Sequence, residues 1–264
     1  MIGELTRQEF IKFFSHRYPY ALLVLVLVAQ LVRMLGTALS APETTLDIVT
    51  GPQLWAQGVG MGLRLGVYLL IVVGAMAFSQ EFAQGTVKTI LVLPVQRWQW
   101  ITAKLLFLLL SSMGLLALIA ALAGLVVAFT LGWGDVLREG VVLYEGDEVL
   151  RQVLLATGLT AVFLLPVCAF GQLVGIYFSS SGAAVGTALL AGIVLEAAAG
   201  VGGFGKYVFL YHLHRPAAVI EKLGKGLPFK WDEVVSWGLG ACLISFLILW
   251  VWQVVRLERM DVAG

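Results

Sequence analysis

Long uninterrupted apolar segments constrain this chain more than any other feature of its sequence. The clearest is the run from residue 105 to residue 131, which contains no charged residue. A helix needs about 20 mostly apolar residues to cross the hydrocarbon core of a bilayer, and this run exceeds that length. Strands of a membrane barrel would alternate in polarity along the chain, and these runs do not. The sequence therefore predicts an all-α integral membrane protein.

Six segments meet the length requirement and predict six transmembrane helices in one domain that covers residues 1–264. They lie near residues 18–39, 59–78, 105–131, 150–178, 183–204 and 234–255. Hydrophobic residues make up 60% of the chain and charged residues only 12%, against about 25% charged in soluble domains. This composition excludes a soluble enzyme, a disordered protein and a secreted disulfide scaffold. The net charge of +1 indicates no nucleic-acid partner.

The first 17 residues form an amphipathic stretch ahead of the first span. Phe10, Phe13, Phe14 and Tyr18 recur at helical spacing, and three cations flank them. A helix with cations beside an apolar face binds at a membrane surface. The sequence therefore predicts an interfacial helix over residues 1–17 that lies on membrane lipid.

The cations favour an orientation with the N-terminus in the cytoplasm. Cytoplasmic loops of membrane proteins carry an excess of Lys and Arg. In this orientation the cytoplasmic segments carry eight of these residues and the external segments six, and the first two external loops hold seven acids and one Arg. We expect a multi-pass protein of the cytoplasmic, or inner, membrane.

The segment from residue 79 to residue 104 is the most informative polar stretch. Its pattern predicts a polar helix from about Phe78, with Glu81 early and Lys88 late, where each charge suits the helix dipole. Pro94 disfavours helix at the residue before it and would end the helix. Spacing alone favours the alternative interpretation, an ordinary amphipathic loop between two spans.

Eight residues of this segment form a recognisable pattern. They are Glu81, Gly85, Thr86, Lys88, Leu91, Pro94, Arg97 and Lys104. The pattern resembles the signature of the ABC transporter type-2 permeases, and an interfacial helix, six spans and a polar segment after the second span are similar to that family too. The resemblance implies that residues 79–104 contain a cytoplasmic coupling helix that docks into a separate ATPase subunit. The coupling residues that it implies are Glu81, Phe82, Gly85, Thr86, Lys88, Leu91, Pro94 and Arg97.

The resemblance also implies the partners and the cofactors. Two ATPase subunits and a second permease subunit, identical or homologous, would assemble with this chain. ATP and Mg²⁺ would bind in the ATPase subunits, and this chain would hold no cofactor, no metal and no catalytic residue. It would be a transport subunit rather than an enzyme, and it would export a substrate across the membrane.

One glycine-rich stretch matches part of the motif of a phosphate-binding loop. Residues 200–206 match the first part of a P-loop, but Tyr207 stands where the Mg²⁺-binding Ser or Thr is needed. The glycines also end a membrane span instead of following a strand. We interpret them as a break in the span, so that ATP hydrolysis belongs to another chain.

Three ionisable residues lie within the predicted spans, namely Arg33, Arg64 and Glu196. A charge in hydrocarbon costs at least about 2.5–3.5 kcal/mol and therefore needs a partner or water. The helical rise of about 1.5 Å per residue places all three in the same half of the membrane. We expect Glu196 to pair with Arg33 or Arg64. A role in the substrate path and simple snorkelling to the interface are the alternatives.

Small residues recur at four-residue spacing in the spans. They are Gly58, Gly62 and Gly66, then Gly171 and Gly175, and Gly182 and Gly186. Such ridges predict close helix packing, either within one chain or between two copies.

The last connection, residues 205–233, contains signals for a short helix. Pro216 suits its first position and Gly224 its end. His212 and His214 lie nearby, but no Cys or close carboxylate completes a metal site with them.

Two other classes of function remain compatible with six spans. An ion- or proton-coupled secondary transporter would have polar residues at the midplane and broken helices in repeated halves, and neither is evident. The other is a non-transport assembly or anchoring component of the membrane. Binding of an ATPase to this chain would distinguish the permease from both.

Overall fold

The computed structural model describes residues 2–39, 50–86, 96–138, 141–200 and 202–259. Helices dominate this part of the chain. In chain order they are α1 (Ile2–Ser15), α2 (Tyr18–Leu39), α3 (Gly51–Ala83), α4 (Arg97–Thr130), α5 (Gly146–Phe163), α6 (Leu165–Ile176), α7 (Ser181–Ala199), α8 (Phe209–Leu213), α9 (Arg215–Gly224) and α10 (Asp232–Glu258). A 3₁₀ helix covers Gly202–Tyr207, and β1 (Val136–Arg138) pairs with β2 (Val141–Tyr144) in an antiparallel hairpin.

Six helical segments of the described chain are long and apolar enough to cross a membrane. We number them span 1 to span 6: Pro19–Leu39, Gly51–Ala83, Arg97–Thr130, Gly146–Ile176, Ser181–Ala199 and Val234–Glu258. This confirms the predicted fold class, an all-α integral membrane protein with six spans. The small hairpin lies in the acidic connection between spans 3 and 4, where the sequence predicts no strand.

Spans 2 and 3 extend beyond the apolar windows near residues 59–78 and 105–131. Helix α3 has 33 residues and α4 has 34, so each is about 50 Å long. The windows stop short because polar residues such as Glu81 and Lys104 occupy the helix ends. Since the hydrocarbon core is about 30 Å thick, both helices continue outside it.

Span 4 consists of two helices. Helix α5 ends at Phe163 and α6 begins at Leu165, with Pro166 in the first turn of α6. Proline lacks the N–H that a helix interior needs but fits at a helix start. The span predicted near residues 150–178 is therefore interrupted at this point.

Helix α3 lies at the centre of the bundle and contacts α2, α4, α6, α7 and α9. Glycine allows the close approach of α6: a Cβ added to Gly171 would lie 2.8 Å from the Ile71 carbonyl oxygen, and one added to Gly175 would lie 2.4 Å from that of Ala75. Atoms cannot approach so closely without displacement of the backbone. This ridge therefore serves packing within the chain.

The other two glycine ridges differ from each other. A Cβ on Gly58 would meet Met34, and one on Gly62 or Gly66 would meet Ile119 or Leu115. These three glycines therefore also pack within the chain. Near Gly186, in contrast, no atom of the described residues outside its own helix backbone and chain neighbours lies within 4 Å of an added Cβ.

The bundle has two different ends. Helix α1 lies at one of them, together with the end of α3 and the start of α4, and we name it the α1 end. The strands, α8 and α9 lie at the other, which we name the hairpin end. The predicted short helix is α9, with Pro216 in its first turn and Gly224 as its last residue. Its buried side packs against α3 and α5.

Candidate functional site

The polar residues at the α1 end surround one buried charge. Lys104, two turns into α4, has no exposed side-chain surface. Its ammonium group donates to Glu9 Oε1 at 2.7 Å, to the Ala77 carbonyl oxygen at 2.8 Å and to Glu81 Oε1 at 2.9 Å. An ammonium group has three protons, so each proton has an acceptor. Lys104 therefore joins α4 to both α1 and α3.

A second lysine completes the network from α1. Lys12 donates to the same oxygen of Glu81 at 2.9 Å. The Lys12 side chain is 38% exposed and that of Glu81 only 5%. Glu9 and Lys12 are three residues apart and share one face of α1. We name Glu9, Lys12, Glu81 and Lys104 the four-charge cluster; its formal charges sum to zero.

Aromatic rings surround the four-charge cluster. Lys104 Nζ lies 5.3 Å from the ring centroid of Phe78 and 5.6 Å from that of Trp100, within the range of cation–π attraction. On α1, the ring centroid of Phe10 lies 4.9 Å from that of Phe107 on α4, edge to face. The aromatic face predicted for the N-terminal helix thus packs against span 3.

Gly85 and Thr86 lie directly after Gln84, the C-cap residue of α3. Gly85 has a φ angle of +69°, and its N–H donates to the Phe82 carbonyl oxygen at 3.2 Å while that of Thr86 donates to the Glu81 carbonyl oxygen at 3.1 Å. These two bonds make a Schellman motif, which ends a helix and favours glycine in the left-handed conformation. The prediction of one polar helix running through this pair is therefore wrong.

Arg97 begins α4 and reaches the end of span 6. Its guanidinium Nη1 donates to the carbonyl oxygens of Leu257 at 2.8 Å and Glu258 at 3.1 Å. The last four carbonyl groups of a helix lack intrahelical partners and carry the negative end of its dipole. One side chain therefore links the first turn of span 3 to the last turn of span 6.

Of the remaining predicted coupling residues, Phe82 lies in the last turn of α3, and the others belong to the connection between spans 2 and 3. We name residues 84–96 the connecting segment. Phe82, just before it, is half-buried and stacks on Phe78 with the ring centroids 6.4 Å apart. Lys88, Leu91 and Pro94 lie outside the described residues.

Two of the three predicted intramembrane charges, Arg64 and Glu196, contribute to a second polar group nearer the hairpin end, and Arg33 does not line it. Arg64, Tyr68, Glu196 and His214 line one small cleft, and the Tyr68 hydroxyl donates to Glu196 Oε2. In the part of the chain that the structure describes, no ion pair within 4.0 Å joins Glu196 to Arg64 or to Arg33. Tyr68 lies one turn after Arg64 on the same face of α3, so its hydroxyl reaches the carboxylate instead.

Sequence reasoning did not place Glu9 and Lys12 among the site residues. The signal that was present is an acid and a base three residues apart beside the aromatic face of α1. Their partners lie 95 and 69 residues further along the chain. Only the packing of α1 on the spans brings these charges together.

The described residues contain six spans, of which span 2 is central, with a charge cluster at one end and a polar cleft between spans. This arrangement is that of a multi-pass membrane protein. The family model described as "ABC-2 family transporter protein" matches residues 5–194, which include the whole four-charge cluster and Arg97. The match covers most of the chain, so the chain belongs to the ABC-2 transporter family and is a membrane permease of an ABC-type transporter. Such permeases are transport subunits and are not themselves catalytic. A search for similar curated proteins gave no match.

Proposed function

We propose that this permease is the membrane subunit of an exporter driven by a separate ATPase, which docks on the connecting segment. The observation that carries the proposal is that two long helices border the segment: α3 ends just before it, and α4 begins at its end. Each helix is about 50 Å long, against a hydrocarbon core of about 30 Å. A force on the segment therefore acts on two stiff helices that extend through the membrane.

Side chains at the borders of the segment support the same function. The Glu81–Lys104 pair, at 2.9 Å, ties spans 2 and 3 to each other beside the segment. Arg97 binds the last turn of span 6 through two carbonyl oxygens. Displacement of the segment would accordingly move three spans together, as a transporter that alternates between two states requires.

The energy source in this proposal is ATP bound with Mg²⁺ in the partner subunits. Residues 202–206 of the glycine-rich stretch lie in the 3₁₀ helix Gly202–Tyr207 after span 5, whereas a P-loop connects a strand to a helix. Two ATPase subunits assemble with two permease subunits, identical or homologous. The N-terminus and the connecting segment face the cytoplasm, and the excess of Lys and Arg on that side of the cytoplasmic membrane supports this orientation.

Co-purification of an ATPase tests the docking site. The full chain is affinity-purified from membranes of cells that express its natural partners, and bound subunits are quantified by mass spectrometry. We expect an ATPase subunit to purify with the native chain at a ratio of one to one. Replacement of residues 86–95 by a Gly-Ser linker of equal length should reduce the bound ATPase to background.

The matched control replaces residues 40–49, a stretch of the same length in the connection after span 1, by the same linker. This control is expected to bind the ATPase normally. Normal binding after replacement of residues 86–95 would contradict the docking assignment. Equal loss in the control would also contradict it, because the effect would then not be specific to the connecting segment.

A further inference from the structure

We propose that Glu9 and Lys12 are positioning residues that carry movement of the connecting segment to α1 and, through α1, to span 1. This inference rests on the proposed function, because it adds a second route for the same ATP-driven movement.

The ion pairs between α1 and the spans are crossed. The acid of α1, Glu9, pairs with the base of span 3, Lys104, at 2.7 Å, whereas the base of α1, Lys12, pairs with the acid of span 2, Glu81, at 2.9 Å. The signs therefore alternate along the cluster. A shift of α1 by one turn would place like charges against each other, so the cluster specifies one register of α1 on the spans.

Uncharged contacts support the same register. The Thr6 hydroxyl donates to the Ala103 carbonyl oxygen of α4 at 3.3 Å. The ring centroid of Phe13 lies 5.2 Å from that of Phe107. Helix α1 ends at Ser15 and α2 begins at Tyr18, so only two residues separate α1 from the helix of span 1. Movement of α1 therefore reaches span 1 through a very short connection.

The attachment of α1 can be removed without unpairing the spans. Glu81 and Lys104, which pair with each other, are 5% and 0% exposed, whereas Lys12 is 38% exposed and Glu9 is 16% exposed. Both partners of the Glu81–Lys104 pair are buried, whereas each pair of α1 has one partner that reaches the surface, so glutamine at positions 9 and 12 leaves the buried pair intact. Changes at Glu9 and Lys12 should therefore release α1 while spans 2 and 3 stay joined.

Charge exchange tests the register in the full chain without any partner. His16→Cys and Gln80→Cys report the position of α1 through a short thiol-specific cross-linker, because both positions line one accessible cleft between the end of α1 and α3, whereas the native cysteines are buried. The exchange E9K/K12E keeps the composition and the net charge but faces like charges across the interface. We expect cross-linking to be lost, and to return when E81K/K104E is added. The matched control, E4K/R7E, exchanges a pair on the same helix whose side chains are both 73% exposed and should cross-link normally.

Unchanged cross-linking in E9K/K12E would overturn the positioning role. Equal loss in E4K/R7E would overturn it as well, because any charge exchange on α1 would then suffice. Since E81K/K104E alters two buried residues, the neutral variant E9Q/K12Q supplies a second test that leaves the buried pair intact. It should lower the cross-linking yield at an unchanged melting temperature of the span bundle, and an unchanged yield contradicts the proposal.

Transmission is tested in nanodiscs that contain the chain and its co-purified ATPase, with one labelled permease per complex. Spin labels replace Leu25 on span 1, Leu118 on span 3 and Leu190 on span 5, whose side chains are 62%, 46% and 66% exposed. Pulsed electron paramagnetic resonance measures the distances from span 5 to the other two spans. Trapping with ATP and vanadate should change both distances in the native chain.

In E9Q/K12Q, the response of the span 3 distance should remain and that of the span 1 distance should be lost. A structural role alone would not separate the two responses. If the span 1 distance still responds as in the native chain, transmission through Glu9 and Lys12 is refuted. If no ATPase purifies with the chain, the proposed function fails, while the cross-linking experiment still decides whether the cluster positions α1.

Discussion

Replacement of Lys104 by methionine measures what the buried charge contributes to stability. Methionine keeps an unbranched side chain but removes the ammonium group, so Glu9 and Glu81 lose the donor that lies 2.7 Å and 2.9 Å away. Removal of one partner of a buried ion pair typically costs about 3–5 kcal/mol, because the other charge is left unpaired. Lys12 remains 2.9 Å from Glu81, so we expect the lower part of this range, about 3 kcal/mol.

Unfolding in mixed micelles by added SDS, followed by tryptophan fluorescence, gives the change in the free energy of unfolding. Lys12→Met is the matched control, because it removes a donor from the same carboxylate oxygen. Lys12 is 38% exposed, so its loss should cost less than about 1 kcal/mol. Adding Glu9→Gln and Glu81→Gln to Lys104→Met removes the unpaired charges and should restore part of the stability. The reasoning is refuted if Lys104→Met costs no more than Lys12→Met.

Three further changes test contacts elsewhere in the chain. Tyr68→Phe removes the hydroxyl that donates to Glu196 and should lower the free energy of unfolding by about 1.5–3 kcal/mol. A double-mutant cycle with Glu196→Gln measures the energy of this hydrogen bond. Additive effects of the two changes would argue against the bond. Gly175→Ala adds a methyl group 2.4 Å from a carbonyl oxygen of α3 and should lower the melting temperature. Gly186→Ala adds its methyl group in open space and should not lower it. Equal melting temperatures of the two variants would contradict the packing argument. Burial lowers the pKa of His212 from its ordinary value of 6.5, so the folded state binds a proton less readily than the unfolded state. The contribution of neutral His212 to stability is therefore complete above pH 6.5 and is lost as the pH falls below that value. SDS unfolding at neutral and acidic pH should show a lower free energy of unfolding at acidic pH. His212→Gln should reduce this difference between the two pH values.

The two ends of the connecting segment show where sequence reasoning succeeds and where it stops. The acid, the Gly-Thr pair and the later arginine are sufficient for a resemblance to the family, and the family match over residues 5–194 confirms it. The local structure differs from the prediction, because the hydrogen bonds of Gly85 and Thr86 to the preceding turn end α3. Helical spacing does not reveal such a termination, since glycine is tolerated in a helix at a moderate cost.

Arg97 and Glu196 show that sequence reasoning also fails to predict which groups a side chain binds. Arg97 binds the carbonyl oxygens of Leu257 and Glu258, at the far end of the chain. Glu196 accepts a hydrogen bond from Tyr68 rather than pairing with an arginine. The depth of each residue in the membrane follows from counting residues along a helix, but the rotation of that helix toward its neighbours does not.

The order of residues alone indicates that this chain is a six-span helical membrane protein and that polar residues concentrate at the connection between spans 2 and 3. It could do so because crossing a bilayer depends on the length of an apolar run, which is a local property. The contacts of Glu9 with Lys104 and of Lys12 with Glu81 are seen only in the folded chain. Their pairing depends on how α1 packs across two spans that lie 69 and 95 residues away in the chain, and burial among those helices is what makes the charges costly to separate.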